Sequence, residues 1–136
     1  MVMGYKVGQR ASFAKTISES DVYQFAGISG DFNPVHVNKI EAEQSVFGKQ
    51  VVHGILGASL ISAVLGIKLP GPGTIYMEQN LTFCAPVYIG DTICATVEIK
   101  ELLPKGRAVM STVVENQEGR IVIAGEAMVK DRKSVV

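Results

Sequence analysis

The sequence predicts an α+β fold in which an antiparallel β-sheet wraps around one long central α-helix. Two observations carry this prediction. Residues 55–67 are apolar almost all round, and a helix without a polar face must be buried on most sides. Segments with the alternating pattern of strands then follow one another, at 75–85, 92–103, 108–116 and 121–130. An antiparallel sheet packed around that helix is the most economical way to bury both.

The chain begins with a predicted strand at residues 6–16, which is followed by a helix. Ser18 and Asp21 have the spacing of a capping box, in which each side chain bonds the backbone N–H of the other residue. Gly27 and Gly30 are predicted to end this helix.

The next segment, residues 31–38, is predicted to be irregular. Pro34 lacks a backbone donor and pushes the residue before it toward extended geometry. A short helix is expected at 40–46 and is stopped by Gly48. Later in the chain, glycine-containing pairs predict the hairpin turns that join the last three strands: Lys105-Gly106 and Glu118-Gly119.

Length and charge narrow the classes of function. The 136 residues fit one domain, taken as 1–136, and Lys plus Arg equals Asp plus Glu at 13 each. This balance argues against a nucleic-acid partner, because such binding depends on clustered basic residues. The longest apolar run is shorter than the roughly 20 residues of a membrane span. The N-terminal residues do not resemble a secretory signal, so we expect a cytoplasmic protein without a membrane partner.

Asp31 and His36 are the candidate catalytic residues. They lie five apart in a segment stiffened by Pro34, so both side chains can be held toward one point. Histidine titrates near neutrality and a carboxylate can activate a water, which suits acid/base chemistry. On spacing alone, an alternative is open: Asp31 and Asn33 form turns with their own backbone, and His36 is a partly buried structural residue.

His53 and Gly54 stand where the long helix is expected to begin. A helix N-terminus presents unpaired N–H groups and partial positive charge, and glycine lets a carbonyl approach them closely. This would suit an oxyanion site for an enolate-like intermediate. A plain glycine-rich helix entry is equally compatible with the sequence. For His53 both a catalytic role and a structural contact remain open.

Motifs for metal or nucleotide binding are not recognisable. The sequence lacks a Cys/His cluster, an H-E-x-x-H, a P-loop and a G-x-G-x-x-G, so we expect neither a metal nor another cofactor.

Residues 25–38, FAGISGDFNPVHVN, resemble the hydratase 2 motif of MaoC-like (R)-specific enoyl-CoA hydratases. The resemblance runs from about residue 8 to 130 and is closest to the short bacterial enzymes, with a single hot-dog domain, that supply (R)-3-hydroxyacyl-CoA for polyhydroxyalkanoate synthesis. Further segments agree with it, namely VHGI at 52–55, ASL at 58–60, GTIY at 73–76, Phe83, PV at 86–87, GD at 90–91 and GE at 125–126.

The resemblance implies a hot-dog fold, a homodimer whose sheets join edge to edge, and an acyl-CoA thioester as substrate. Asp31 and His36 match the family's catalytic pair, which adds water to a trans-2-enoyl-CoA. Gly54 matches the residue whose N–H receives the thioester carbonyl. Ser62 falls where the short enzymes carry an active-site serine.

Leu65 and Met128 are weaker candidates for the wall of the acyl pocket. Leu65 lies three residues beyond Ser62 on the same face of the predicted helix, and Met128 lies in the last strand. Two side chains of this size would suit short to medium acyl chains. Plain core packing is the alternative for both.

Three other functions compete with hydration of enoyl-CoA. The nearest is dehydration of (R)-3-hydroxyacyl groups on acyl carrier protein, which is the same chemistry run in reverse on another carrier. A hot-dog thioesterase would attack the carbonyl and release free CoA. A non-enzymatic acyl-CoA-binding module would bind the thioester without turnover.

Overall fold

One antiparallel sheet and one long helix dominate the computed structural model, which describes residues 4–131. The strands are β1 (Arg10–Thr16), β2 (Thr74–Gln79), β3 (Thr82–Phe83), β4 (Thr92–Leu102), β5 (Arg107–Glu115) and β6 (Ile121–Asp131). The helices are α1 (Glu19–Ser29), α2 (Pro34–Val37), α3 (Lys39–Glu43) and α4 (Gly54–Ile67). The strand order is β1-β4-β5-β6-β2, and β3 also pairs with β6. This is the predicted α+β hot-dog arrangement, and it is confirmed.

The core lies between α4 and the concave side of the sheet. Leu60, Ile61 and Val64 of the helix are buried, and alternate residues of β4 are buried with them, as the two-residue period of a strand requires. Each such side chain contributes about 1.5–3 kcal/mol when fully buried. In the described part of the chain, no helix is long and apolar enough to cross a membrane.

The expectation that α4 is enclosed on most sides is wrong for the single chain. Ile55 is 58% exposed and Ile67 is 70% exposed, and Ser59 and Ser62 are exposed between them. The reason is that the sheet covers only one side of the helix. The opposite side includes Ile55, Ser59 and Ser62, and no part of residues 4–131 covers it. We call this side the open face of α4.

The start of α1 follows the sequence prediction. Ser18 Oγ accepts a hydrogen bond from the Asp21 N–H at 3.0 Å, and the Asp21 carboxylate accepts one from the Ser18 N–H at 2.9 Å. Lys15 Nζ lies 3.1 Å from the same carboxylate. The helix then continues through Gly27 and ends at Gly30, whose φ of 81° only glycine adopts readily. The predicted stop at Gly27 is therefore wrong.

Asp21→Asn is expected to destabilise the protein in a pH-dependent way. The hydrogen bond from Ser18, and then Lys15, lower the pKa of Asp21. A lowered folded-state pKa contributes stability that is present above the unfolded value, about 3.9, and is lost as pH falls through the folded value. We expect a loss of about 0.5–1 kcal/mol at pH 7. In thermal unfolding from pH 7 down to about pH 3, the difference should shrink once the pH falls below the unfolded value; a constant difference would contradict this account.

The predicted strand 75–85 is in fact two strands separated at Asn80. The Asn80 N–H donates to the Glu126 carbonyl, and the Glu126 N–H donates to Asn80 Oδ1. This brings the Asn80 backbone against Gly125 of β6. A Cβ on Gly125 would lie 1.9 Å from the Asn80 carbonyl oxygen, so only glycine fits there.

Gly125→Ala is expected to lower the free energy of unfolding by about 3 kcal/mol, because a backbone segment must move to admit the methyl group. Gly27→Ala is the matched control, since a Cβ there meets nothing within 4 Å. In a helix interior the same change should stabilise by about 0.5–1 kcal/mol. Urea unfolding of both variants tests the pair, and equal stabilities would refute the close approach of Asn80.

Candidate active site

The segment between α1 and α2 is held by short-range hydrogen bonds. Asp31 Oδ1 accepts from the Asn33 N–H at 3.1 Å, and Asn33 Oδ1 accepts from the Val35 N–H at 3.3 Å. Asn33 is the N-cap of α2, and Pro34 is its first residue, where the missing donor costs nothing. The prediction that residues 31–38 cannot form regular helix is therefore wrong for 34–37, which make one helical turn beginning at Pro34, and it holds for 31–33.

That turn places His36 and Asp31 side by side. His36 is buried, and its Nδ1 lies 2.7 Å from the Val51 carbonyl oxygen. Because a carbonyl only accepts, Nδ1 carries a proton and Nε2 is left for other partners. Nε2 lies 3.9 Å from Asp31 Oδ2, beyond hydrogen-bond distance. One water about 2.8 Å from each atom fits this separation.

The two side chains differ in their access to solvent. The Asp31 side chain is 52% exposed, whereas that of His36 is 11% exposed. The carboxylate can therefore receive water from bulk solvent, while most of the imidazole is shielded from it. The pair has the arrangement needed to hold a water between a base and a second proton-exchanging group.

A cavity of about 570 Å³ adjoins His36 and the start of α4. Its walls are largely apolar, and they include Val52, Phe83 and Val87. Gly54, the first residue of α4, also lines it. A cavity of this size and character suits an apolar chain that ends in a polar reacting group.

Gly54 lies at the amide end of α4. His53, the N-cap, makes no capping hydrogen bond to the helix, so the first amide groups keep their donors directed out of the helix end. The ring of Phe83 lies against Gly54, and a Cβ on Gly54 would be 2.7 Å from Phe83 Cε1. The absence of a side chain at Gly54 thus allows both the ring and a ligand to approach the backbone.

His53 joins the other two residues, a geometry that the sequence did not reveal. Its ring stacks on His36 with centroids 3.8 Å apart, and Phe25 contacts it edge-on at 4.9 Å. Its Nε2 lies 3.0 Å from the Asp31 backbone carbonyl, to which it donates. Only its position beside Gly54 in the chain could have drawn attention to it.

The other three predicted site residues lie away from this cavity in the single chain. Ser62 is on the open face of α4, whereas Leu65 is 1% exposed within the core. The prediction that these two residues share a helix face is therefore wrong, because the helix turns Leu65 toward the sheet. Met128 lines a separate cavity of about 260 Å³ with Gln79 and Val109. The reason is that Ala127 and Val129 face the core, so Met128 between them points to the other side of the sheet. A substrate-binding role for these three stays a prediction.

Within residues 4–131, Asp31, His36 and His53 form a group that could hold a metal ion, since their ligand atoms lie within 4.8 Å of one another. In each imidazole, however, one ring nitrogen donates a hydrogen bond to a backbone carbonyl oxygen. The stacked rings, with 25° between their planes, direct their nitrogen lone pairs side by side rather than at one point. The arrangement therefore suits proton exchange better than chelation.

Known proteins provide an independent comparison. The family described as MaoC like domain matches residues 3–122. An (R)-specific enoyl-CoA hydratase of Rhodospirillum rubrum is 54% identical over 91% of this chain and 86% of its own. A mitochondrial 3-hydroxyacyl-[acyl-carrier-protein] dehydratase of Solanum lycopersicum is 36% identical over 90% of this chain and 74% of its own.

Solved structures agree. The (R)-hydratase from A. caviae involved in PHA biosynthesis superposes with a TM-score of 0.93 at 41% identity, and the alignment covers 95% of this chain and 98% of that one. Sequence and fold therefore lead to one conclusion: the chain belongs to the family of MaoC-like domains.

Proposed function

We propose that this chain is an (R)-specific enoyl-CoA hydratase, which adds water reversibly to trans-2-enoyl-CoA and forms (R)-3-hydroxyacyl-CoA. The observation that carries the proposal is the placement of Asp31 and His36 together, beside the Gly54 amide and an apolar cavity. The 54% identity to a hydratase over nearly the whole chain supports the same reaction.

In the proposed mechanism a water lies between the Asp31 carboxylate and His36 Nε2. Asp31 accepts a proton as the water oxygen forms a bond to C3 of the enoyl group. The proton then passes from Asp31 to His36 Nε2, and Nε2 donates it to C2, which restores both groups. Nδ1 stays on the Val51 carbonyl throughout, so Nε2 is the ring atom that exchanges protons.

The amide end of α4 supplies the remaining element of the mechanism. As water adds, negative charge develops on the thioester oxygen, and the Gly54 N–H with the helix dipole stabilises it. The conjugated thioester is already electrophilic, so this mechanism uses only groups of the chain, the substrate and water.

Hydration of crotonyl-CoA, followed by chiral analysis of the product, tests the proposal. We expect (R)-3-hydroxybutyryl-CoA. The (S)-isomer, or no hydration by the folded protein, would contradict it. Crotonyl groups on CoA and on acyl carrier protein should be compared, since a relative named as a carrier-protein dehydratase is 36% identical. Release of free CoA would indicate a thioesterase, and binding without turnover would indicate a binding module.

We also propose that residues 1–136 form one MaoC-like domain that assembles as a homodimer. Two uncovered surfaces favour this assembly: the edge strand β2, with Ile75, Tyr76 and Met77 each more than 40% exposed, and the open face of α4. Light scattering during gel filtration should give twice the chain mass of 14.6 kDa. A role in supplying polyhydroxyalkanoate synthesis and a cytoplasmic location stay predictions.

A further inference from the structure

His53 contacts both Asp31 and His36, the proposed catalytic pair, although no motif in the sequence indicates this. It is 3% exposed, and its ring stacks on that of His36 and meets that of Phe25 edge-on. Its Nε2–H donates to the backbone carbonyl of Asp31. Its own backbone leads directly into Gly54. The His53 side chain therefore contacts both Asp31 and His36, and its backbone directly precedes Gly54, the proposed oxyanion donor.

We infer that His53 is a positioning residue, which fixes Asp31 and His36 relative to each other and to the Gly54 amide. The inference rests on the proposed function. Stacking limits rotation of the His36 ring about its side-chain bonds, and the hydrogen bond fixes the peptide from which the Asp31 side chain projects. The 3.9 Å separation between the carboxylate and Nε2 is held by these two contacts together.

The choice of residue is poor for stability alone. His53 occupies the N-cap of α4, where Ser, Thr, Asp or Asn would bond the first helical amides, and its side chain makes no such bond. Its Nδ1 is buried without a hydrogen-bond partner among residues 4–131. A buried acceptor without a partner is unfavourable for folding. The imidazole is thus explained by its contacts with the pair and not by helix capping.

Three substitutions separate the two contacts. His53→Phe keeps an aromatic ring against His36 and Phe25 but loses the hydrogen bond to Asp31. His53→Gln keeps an N–H near the position of Nε2 but loses the ring. His53→Ala loses both. Small displacements of reacting groups cost on the order of 10²-fold in rate, so we expect His53→Ala to lower kcat about 100-fold and each of the others about 10-fold. KM should change less than about threefold, because His53 does not line the cavity.

Comparing kcat with the melting temperature separates a positioning role of His53 from a merely structural one. His53→Phe removes the unpartnered Nδ1 and keeps the packing, so its melting temperature should equal or exceed that of the wild type while kcat falls. If kcat and melting temperature fall together in both His53→Phe and His53→Gln, the role is structural and the inference is wrong. Wild-type kcat in these two variants would also overturn it, even if His53→Ala does not fold.

NMR of the imidazole groups provides a test that does not depend on turnover. The chain has only two histidines, so the His36 signals are assigned by comparison with each variant. Loss of the stacked ring in His53→Gln should shift the carbon-bound protons of His36, whereas His53→Phe should shift them less. A wild type that fails to hydrate crotonyl-CoA would contradict the proposed function. The positioning role would still be supported by this pattern of shifts and contradicted by unchanged His36 signals in His53→Gln.

Discussion

Asp31→Asn is expected to lower kcat for enoyl-CoA hydration by about 10²–10⁴-fold and to leave the fold intact. Asparagine has the shape of aspartate, and its Oδ1 can still accept the hydrogen bond from the Asn33 N–H. Its amide cannot take a proton from water, so the step that forms the bond to C3 loses its base. Because the side chain is half exposed, removing its charge leaves no buried partner unpaired.

The measurement is the initial rate with crotonyl-CoA, together with the melting temperature of each protein. Glu118→Gln is the matched control, since it makes the same acid-to-amide change in an exposed hairpin turn outside the site. We expect this control to have wild-type kcat. Asp31→Asn with more than a tenth of the wild-type kcat would show that another group activates the water.

The pairing of Asp31 with His36 could be predicted because local interactions determine it. The two residues are five apart, and the bonds that shape the segment join Asp31 to Asn33 and Asn33 to Val35. Pro34 adds a fixed φ at the start of α2. A motif of this kind contains most of its own geometry. The spacing left the turn-forming alternative open, and the structure has both the turns and the adjacent side chains. The catalytic role of the pair stays a prediction.

The residues around the pair could not be placed in the same way. His53 meets Asp31 across 22 residues of chain, and this contact depends on how α4 docks on the sheet. The side of the sheet to which Met128 points depends on the register of β6, because a shift of one residue moves every side chain of a strand to the opposite face. Leu65 and Ser62 share a helix, but only the packing of that helix decides which of them is buried.

The fold shows the same division between local and long-range information. The capping box of α1 and both hairpin turns were predicted from neighbouring residues, and the structure has them. The division of 75–85 into two strands follows from the contact of Asn80 with Gly125, which no local pattern indicates. The open face of α4 could not be predicted, because apolar composition indicates that a helix prefers to be buried but not which of its sides the sheet of the same chain covers.

His36→Asn is expected to lower kcat by about 10²–10⁴-fold while keeping the structural contact of His36. An asparagine amide nitrogen can occupy the position of Nδ1 and donate to the Val51 carbonyl, which otherwise loses its partner. The atom that disappears is Nε2, which faces Asp31. His36→Gln has the converse effect, since it places an amide near Nε2 and gives up the bond to Val51. We expect His36→Asn to be the more stable of the two variants and both to show this loss of kcat.

The double variant Asp31→Asn/His36→Asn decides whether the two residues act as one unit. If they share one water and one proton, removal of either disables the same step, and the double variant should be no slower than the slower single variant. Independent contributions would instead multiply, giving a loss of about 10⁴-fold or more. Single-turnover rates with crotonyl-CoA measure this, with melting temperatures to confirm folding. Multiplied losses would refute the shared water. If both groups, which lie 3.9 Å apart, act on the same water, the first substitution already disables that step, and the second has no further rate to remove.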